Sequence, residues 1–353
     1  MGSSPPLIRR LFPRHPLSLR CLFGLLGLLA FLSGCGGGPI VATSTGRILY
    51  VATSNGIYGF SIMSTGTLTP ISSQPLVTNP VQQMAVTPGI PTAQSTPLLL
   101  GATGGSSLLV WTVGGSGRLT QSTSLSCSPS GSSSSLTITG VTVTSDSQYV
   151  LVVDGTSPSS NLGLISFSTP TNCSIGSSSS SFYPLQPAID CAVSGSNPCI
   201  LFLTGSSTQT SSSISLATPL EIQVTLTFSS PFGSALSSSY TCTTSACPLG
   251  VTFDPTTVFF YASFTGTSPP SLQSIAPGAK SSTSTTTFPA SAPVNYPCID
   301  TVGGVVYTPT ANGFLYASST NAQGALSGAT AVLTPTSLPV SLNMTSCTVA
   351  NNP

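Results

Sequence analysis

The side chains able to move protons or hold charge are few in this 353-residue chain, and they are unevenly placed. Arg9, Arg10, Arg14 and Arg20, together with the single histidine, His15, fall within the first 20 residues. From residue 35 onward, Arg47, Arg118 and Lys280 stand against Asp146, Asp154, Asp190, Glu221, Asp254 and Asp300, a net charge of −3. General acid–base catalysis near neutral pH most often uses histidine. With no histidine after His15, a Ser-His-Asp relay has no group to take the serine proton. Three scattered cations also make no basic patch for phosphates, which argues against nucleic-acid binding. The carboxylates remain. Asp146, Asp190, Asp254 and Asp300 each stand at or just past the end of a short apolar run and read first as turn residues accepting backbone N–H bonds. The competing reading gathers them at one mouth of a channel. No D-x-[DN]-x-[DN]-G calcium loop is present, so no cofactor or metal is expected.

Cysteine is the other reactive residue. Cys35 ends Leu32-Ser33-Gly34-Cys35, directly after the apolar Cys21–Phe31 and the arginines before it. Charge, grease and small residues in that order form an export signal. A spanning helix needs roughly 20 apolar residues, and Gly34-Cys35-Gly36-Gly37-Gly38 would break one. The segment resembles a bacterial lipoprotein signal peptide. That implies removal of residues 1–34, a lipid on the Cys35 thiol, and a glycine-rich linker over 35–46. Arg9-Arg10-Leu11-Phe12 partly resembles a twin-arginine signal, but Pro13 and Arg14 depart from it. Gly36, where an aspartate would retain such a protein at the inner membrane, implies the outer membrane in a cell that has one. Cys127, Cys173, Cys191, Cys199, Cys242, Cys247, Cys298 and Cys347 are an even number in an exported chain, and so read as up to four disulfides. Short closure favours Cys242–Cys247 and Cys191–Cys199, leaving Cys127–Cys173 and Cys298–Cys347 as the preferred long bridges. Without a C-x-x-C pair or a histidine beyond His15, zinc is excluded.

These groups are carried on an all-β chain. Only 4% of residues are charged, yet the mean hydropathy is positive, and short β-branched or aromatic runs bounded by Gly, Pro, Ser or Asn recur throughout. The runs repeat about every 50 residues, with apolar strands starting near 48, 98, 149, 200, 258 and 305. Each is preceded by an opening strand such as Gln83–Thr87 or Val251–Asp254, and followed by an alternating strand and a polar one. Four strands at that period predict β-propeller blades. Six follow from the copies, or seven if the stretch 206–249 holds another. Asn343–Val349 resembles an opening strand with nothing after it, so it is expected to complete the blade begun at Ile48, closing a domain of residues 47–353 with strands from both termini. Trp111 aligns with Phe60 and Phe167 and is expected in the core. The serine runs at 132–135, 177–181 and 211–213 read as solvated loops.

Tyr50-Val51-Ala52-Thr53 with Gly56-Ile57-Tyr58-Gly59-Phe60 resembles the lactonase-like YVTN-repeat propellers, most clearly in the first blades. The resemblance implies lactone hydrolysis at the central channel, but the missing histidine and scarce cations leave no catalytic residue to carry over. The sequence therefore points to a non-catalytic binding or scaffold module of the cell envelope, attached to the membrane through Cys35. Its expected partner is another envelope protein, a polysaccharide or a small ligand; a lactone hydrolase is the alternative.

Overall fold

The computed structural model describes residues 43–87, 96–126, 137–144, 149–155, 161–166, 169–177, 183–190, 199–209, 214–224, 235–236, 242, 247–336 and 343–351. The lipobox with Cys35, and with it Asp146, Cys127, Cys191 and the serine runs apart from Ser177, lies outside the described residues.

Every regular element among the described residues is a strand. The first sheet begins with β1 (Ser44–Thr53), β2 (Gly56–Met63) and β3 (Leu68–Pro70). The second holds β4 (Gln83–Thr87), β5 (Leu98–Ala102), β6 (Ser107–Val113) and β7 (Leu119–Ser126). The third holds β8 (Ile138–Val143), β9 (Tyr149–Asp154), β10 (Asn161–Ser166) and β11 (Thr169–Ser177). The fourth holds β12 (Tyr183–Asp190), β13 (Cys199–Gln209), β14 (Ile214–Val224) and β15 (Ala235–Leu236). The end of β13 together with β14 and β15 falls in the stretch 206–249, in which a further blade could have been hidden. The fifth holds β16 (Gly250–Asp254), β17 (Phe259–Phe264), β18 (Ser271–Ile275) and β19 (Ser284–Thr287), and the sixth β20 (Cys298–Asp300), β21 (Val305–Pro309), β22 (Leu315–Ser319) and β23 (Thr330–Leu333). Finally β24 (Met344–Asn351) pairs antiparallel with β1, Cys347 opposite Val51, and makes the first sheet four-stranded.

Packing follows from the period-2 alternation of a strand whose two faces are both covered. In β1, Leu49 and Val51 point into a cluster shared with Tyr307 and Leu315 of the sixth sheet. Ile48, Tyr50 and Ala52 point the other way, into a cluster with Leu99 and Trp111 of the second. Similar clusters join the second sheet to the third, the third to the fourth, the fourth to the fifth and the fifth to the sixth. Small sheets stacked face to face around an axis form a β-propeller, the expected fold. Burying a side chain such as Leu49 or Phe60 contributes about 1.5–3 kcal/mol, and neither could be buried by an isolated sheet. Solvent meets the outermost strands instead, where Ser284–Thr287 alternates between buried and exposed.

Two faces result. The strands β4, β8, β12, β16, β20 and β24 line the axis, and they end on one side, called here the lower face. Because Arg47 pairs with Asn351, the last residue of β24, the chain enters the propeller on that same side. The turns after β16 and β20 lie there too. Gly304, four residues after Asp300, has φ 59°, and Val258, four after Asp254, has φ 60°. Left-handed backbone suits glycine and strains a β-branched residue. Val258→Gly is therefore expected to stabilise the protein by about 1 kcal/mol once the flexibility cost of glycine is subtracted. A thermal midpoint that falls would refute this reading of the turn.

Candidate functional site

The axial strands enclose a cavity of about 280 Å³, to which β4, β8, β12, β16, β20 and β24 all contribute. Its wall reaches the lower face at Thr144, Pro255, Thr301 and Asn351. Polar contacts come from Thr142, Thr252, Thr348 and Gln186, while valines, isoleucines and the Cys298–Cys347 bridge supply the apolar surface. Among the described residues, no Asp, Glu, Lys, Arg or His lines it.

The upper end is tied across by amides. Buried Gln83 donates to the Leu185 carbonyl at 2.6 Å and accepts from the Val141 N–H at 3.4 Å, so one side chain of β4 reaches both β8 and β12. Burial raises the pKa of Tyr296, just before β20, and Gln83 pulls it back. The Gln186 side-chain Oε1 accepts from the Val251 N–H at 2.7 Å. Strands converge here so closely that a Cβ on Gly250 would stand 2.8 Å from Pro297 and 2.9 Å from Gln186. These ties join neighbouring axial strands at the upper end, while the cavity wall extends to the lower face.

Of the aspartates singled out from the sequence, Asp254 and Asp300 are turn residues, as the first reading expects. Asp254 is buried, its Oδ1 accepting from the Thr256 N–H at 2.9 Å and its Oδ2 from the Thr257 hydroxyl at 2.8 Å. Asp300 is buried in the matching turn. Its Oδ1 accepts from the Gly303 N–H at 3.0 Å, and its Oδ2 takes the guanidinium of Arg47. Asp190 ends β12 at the corresponding position, paired with Ile200. Each of these three aspartates thus ends an axial strand on the lower face, but Asp254 and Asp300 face their turns and do not line the cavity. Among the described residues, no three His, Cys, Asp or Glu side chains stand together as a metal would require.

Arg47 bonding to Asp300 was not foreseeable from spacing, since 253 positions separate them. The pair stands beside Tyr307, whose hydroxyl pKa is pushed up to about 12, mainly by burial and further by the Asp300 charge, with Arg47 pulling it back. A phenol with its folded pKa above the unfolded value of about 10 contributes stability below that pH and loses it as pH rises towards 12.

Two bridges are Cys242–Cys247 and Cys298–Cys347, both as preferred from the sequence. Cys199 is also disulfide-bonded. Cys173 lies in β11 opposite Ile165.

No protein-family profile matches the chain, and no curated protein matches it. Similar folds occur among solved structures. A protein from Lactobacillus plantarum superposes with a TM-score of 0.53 at 15% identity, covering 86% of this chain and 99% of its own. The periplasmic gluconolactonase PpgL of Pseudomonas aeruginosa gives 0.50 at 13% identity, over 79% of this chain and 81% of that one. TolB from Acinetobacter baumannii gives 0.51 at 11% identity, over 92% and 70%. At these identities the likeness is one of fold, a propeller shared with a lactonase, and not of activity.

Proposed function

We propose that the chain is an exported lipoprotein, anchored through Cys35, whose six-bladed propeller is a non-catalytic binding module of the cell envelope. The blade number is supported by six four-stranded sheets among the described residues and by apolar clusters that run from each sheet to the next and back to the first. Closure of the ring is ascribed to β24 on β1. The sequence supports export and lipidation, with the outer membrane as the destination in a cell that has one.

The reading of function rests on the channel wall, which carries no charged side chain among the described residues. A hydrolase needs groups that take up and release protons at the reacting atom, and Asp254 and Asp300 on the lower face are spent on turns and on Arg47. Threonine hydroxyls, glutamine and aliphatic side chains suit a neutral ligand held by hydrogen bonds and apolar contact.

The soluble protein of residues 36–353 provides the test. Neutral oligosaccharides and their phosphorylated counterparts are compared by thermal shift, and sugar lactones are assayed for hydrolysis. Stabilisation by a neutral compound, lost in Thr142→Arg with the unliganded midpoint unchanged, is expected, and no turnover. Turnover that disappears in Asp254→Asn would establish the hydrolase instead.

A further inference from the structure

We infer that the lower face of the propeller lies against the lipid surface, with Val258 and Val302 as its apolar contacts. This inference rests on the lipid-anchor reading above.

Three independent features meet on that face. The first is the point of attachment. The chain enters at Ser44 on the lower side, so eight residues, 36–43, separate the lipidated cysteine from β1. Fully extended they reach at most about 29 Å. Turning the upper face to the membrane would take the linker past two outer strands spaced about 4.8 Å apart and along the ten residues of β1. At about 3.3 Å per residue that path is roughly 43 Å. The linker is too short for it.

Apolar exposure is the second. The large hydrophobic residues exposed among the described ones are Val258, at 49%, and Val302, at 69%. Both lie in lower-face turns of neighbouring sheets, after Asp254 and Asp300. Val302 belongs to the turn that Arg47 clasps, so it sits beside the incoming chain. Val258 is held in a left-handed conformation where the matching turn uses Gly304. A strained, exposed valine in place of a glycine points to a use for its side chain.

Charge is the third. All three cations after Cys35 belong to this side. Arg47 lies in β1 opposite Asn351, and Arg118 is exposed in the turn between β6 and β7, whose Gly117 carbonyl accepts from the Tyr50 hydroxyl of β1 at 2.9 Å. Lys280 is exposed in the turn between β18 and β19, just beyond Ile275, which pairs with Phe260. Of the described acids on this side, Asp254 and Asp300 are buried and Asp300 is paired with Arg47, while Asp190 ends β12, so the exposed cations are Arg118 and Lys280. Each cation near an anionic leaflet raises partitioning about fivefold.

The test uses the full-length lipidated protein in vesicles of phosphatidylcholine, with and without phosphatidylglycerol, containing brominated acyl chains. Trp111 is the one tryptophan of the chain and is buried, so it gives a constant background. Fluorescence from Val302→Trp is expected to be quenched at least threefold more than from Asn55→Trp, which reports on the exposed β1–β2 turn of the upper face. Arg118→Glu with Lys280→Glu should reduce the Val302→Trp quenching in anionic vesicles. Equal quenching at the two sites, or stronger quenching in Asn55→Trp, in protein that floats with the vesicles would overturn the orientation. Flotation undiminished by Cys35→Ala would instead defeat the anchor reading, whatever the quenching pattern.

Discussion

Cys347→Ser is expected to lower the unfolding free energy by about 4 kcal/mol, and Cys242→Ser by only about 2 kcal/mol. A cross-link stabilises chiefly by limiting the unfolded chain, and the effect grows with the logarithm of the loop it closes. The two bridges span 49 and 5 residues respectively. The longer one also joins two axial strands, β20 and β24, and β24 is the strand that comes back from the far end of the sequence to pair with β1. Without it, that strand is held by its hydrogen bonds to β1 and by Met344 and its neighbours in the apolar cluster. Urea unfolding of the soluble protein, followed by near-ultraviolet circular dichroism, measures both losses. A Cys242→Ser protein as unstable as Cys347→Ser would show that loop length is not what matters here.

How much of this architecture is written in the sequence depends on what each strand touches. Second strands such as β1, β5 and β9 are covered on both faces, so Leu49–Ala52, Leu98–Ala102 and Val150–Val153 must be apolar without interruption, and the repeat is visible from them. Opening strands carry one side chain in two towards the axis. Their mixture of Thr, Val and Gln announces a strand but not a channel. The Cys298–Cys347 pairing could be preferred from sequence because the shorter closures account for Cys242, Cys247, Cys191 and Cys199; the fold adds that both cysteines fall in such strands.

The site itself was far less legible. Asp254 and Asp300 read first as turn residues, but the sequence could not separate that role from channel carboxylates, because both readings place an aspartate after an apolar run. Only the fold shows their oxygens taken by Thr256, Thr257, Gly303 and Arg47. Gln83 carries no sequence signal at all. Its role as a tie between β4, β8 and β12 arises from the convergence of strands that lie far apart in the chain. The clustering of cations at the lower face is equally hidden, since Arg47, Arg118 and Lys280 come from three different sheets.

Arg47→Met is expected to destabilise the protein by about 3 kcal/mol or more, and Asp300→Asn by no more than about 1 kcal/mol. The asymmetry follows from burial: the Asp300 side chain is 2% exposed and that of Arg47 16%. Removing the guanidinium strands a carboxylate away from water with the Gly303 N–H as its remaining hydrogen bond, and an uncompensated buried charge is what makes breaking such a pair costly. Asparagine at 300 still offers an oxygen to Gly303, and Arg47, at the edge of the lower face, can turn its charge to solvent. Combining the two substitutions should therefore recover most of the loss caused by Arg47→Met alone, a coupling that a double-mutant cycle reads directly. Additive losses would mean that the two side chains act separately, and that the clasp between the first strand and the sixth sheet does not help hold the ring shut.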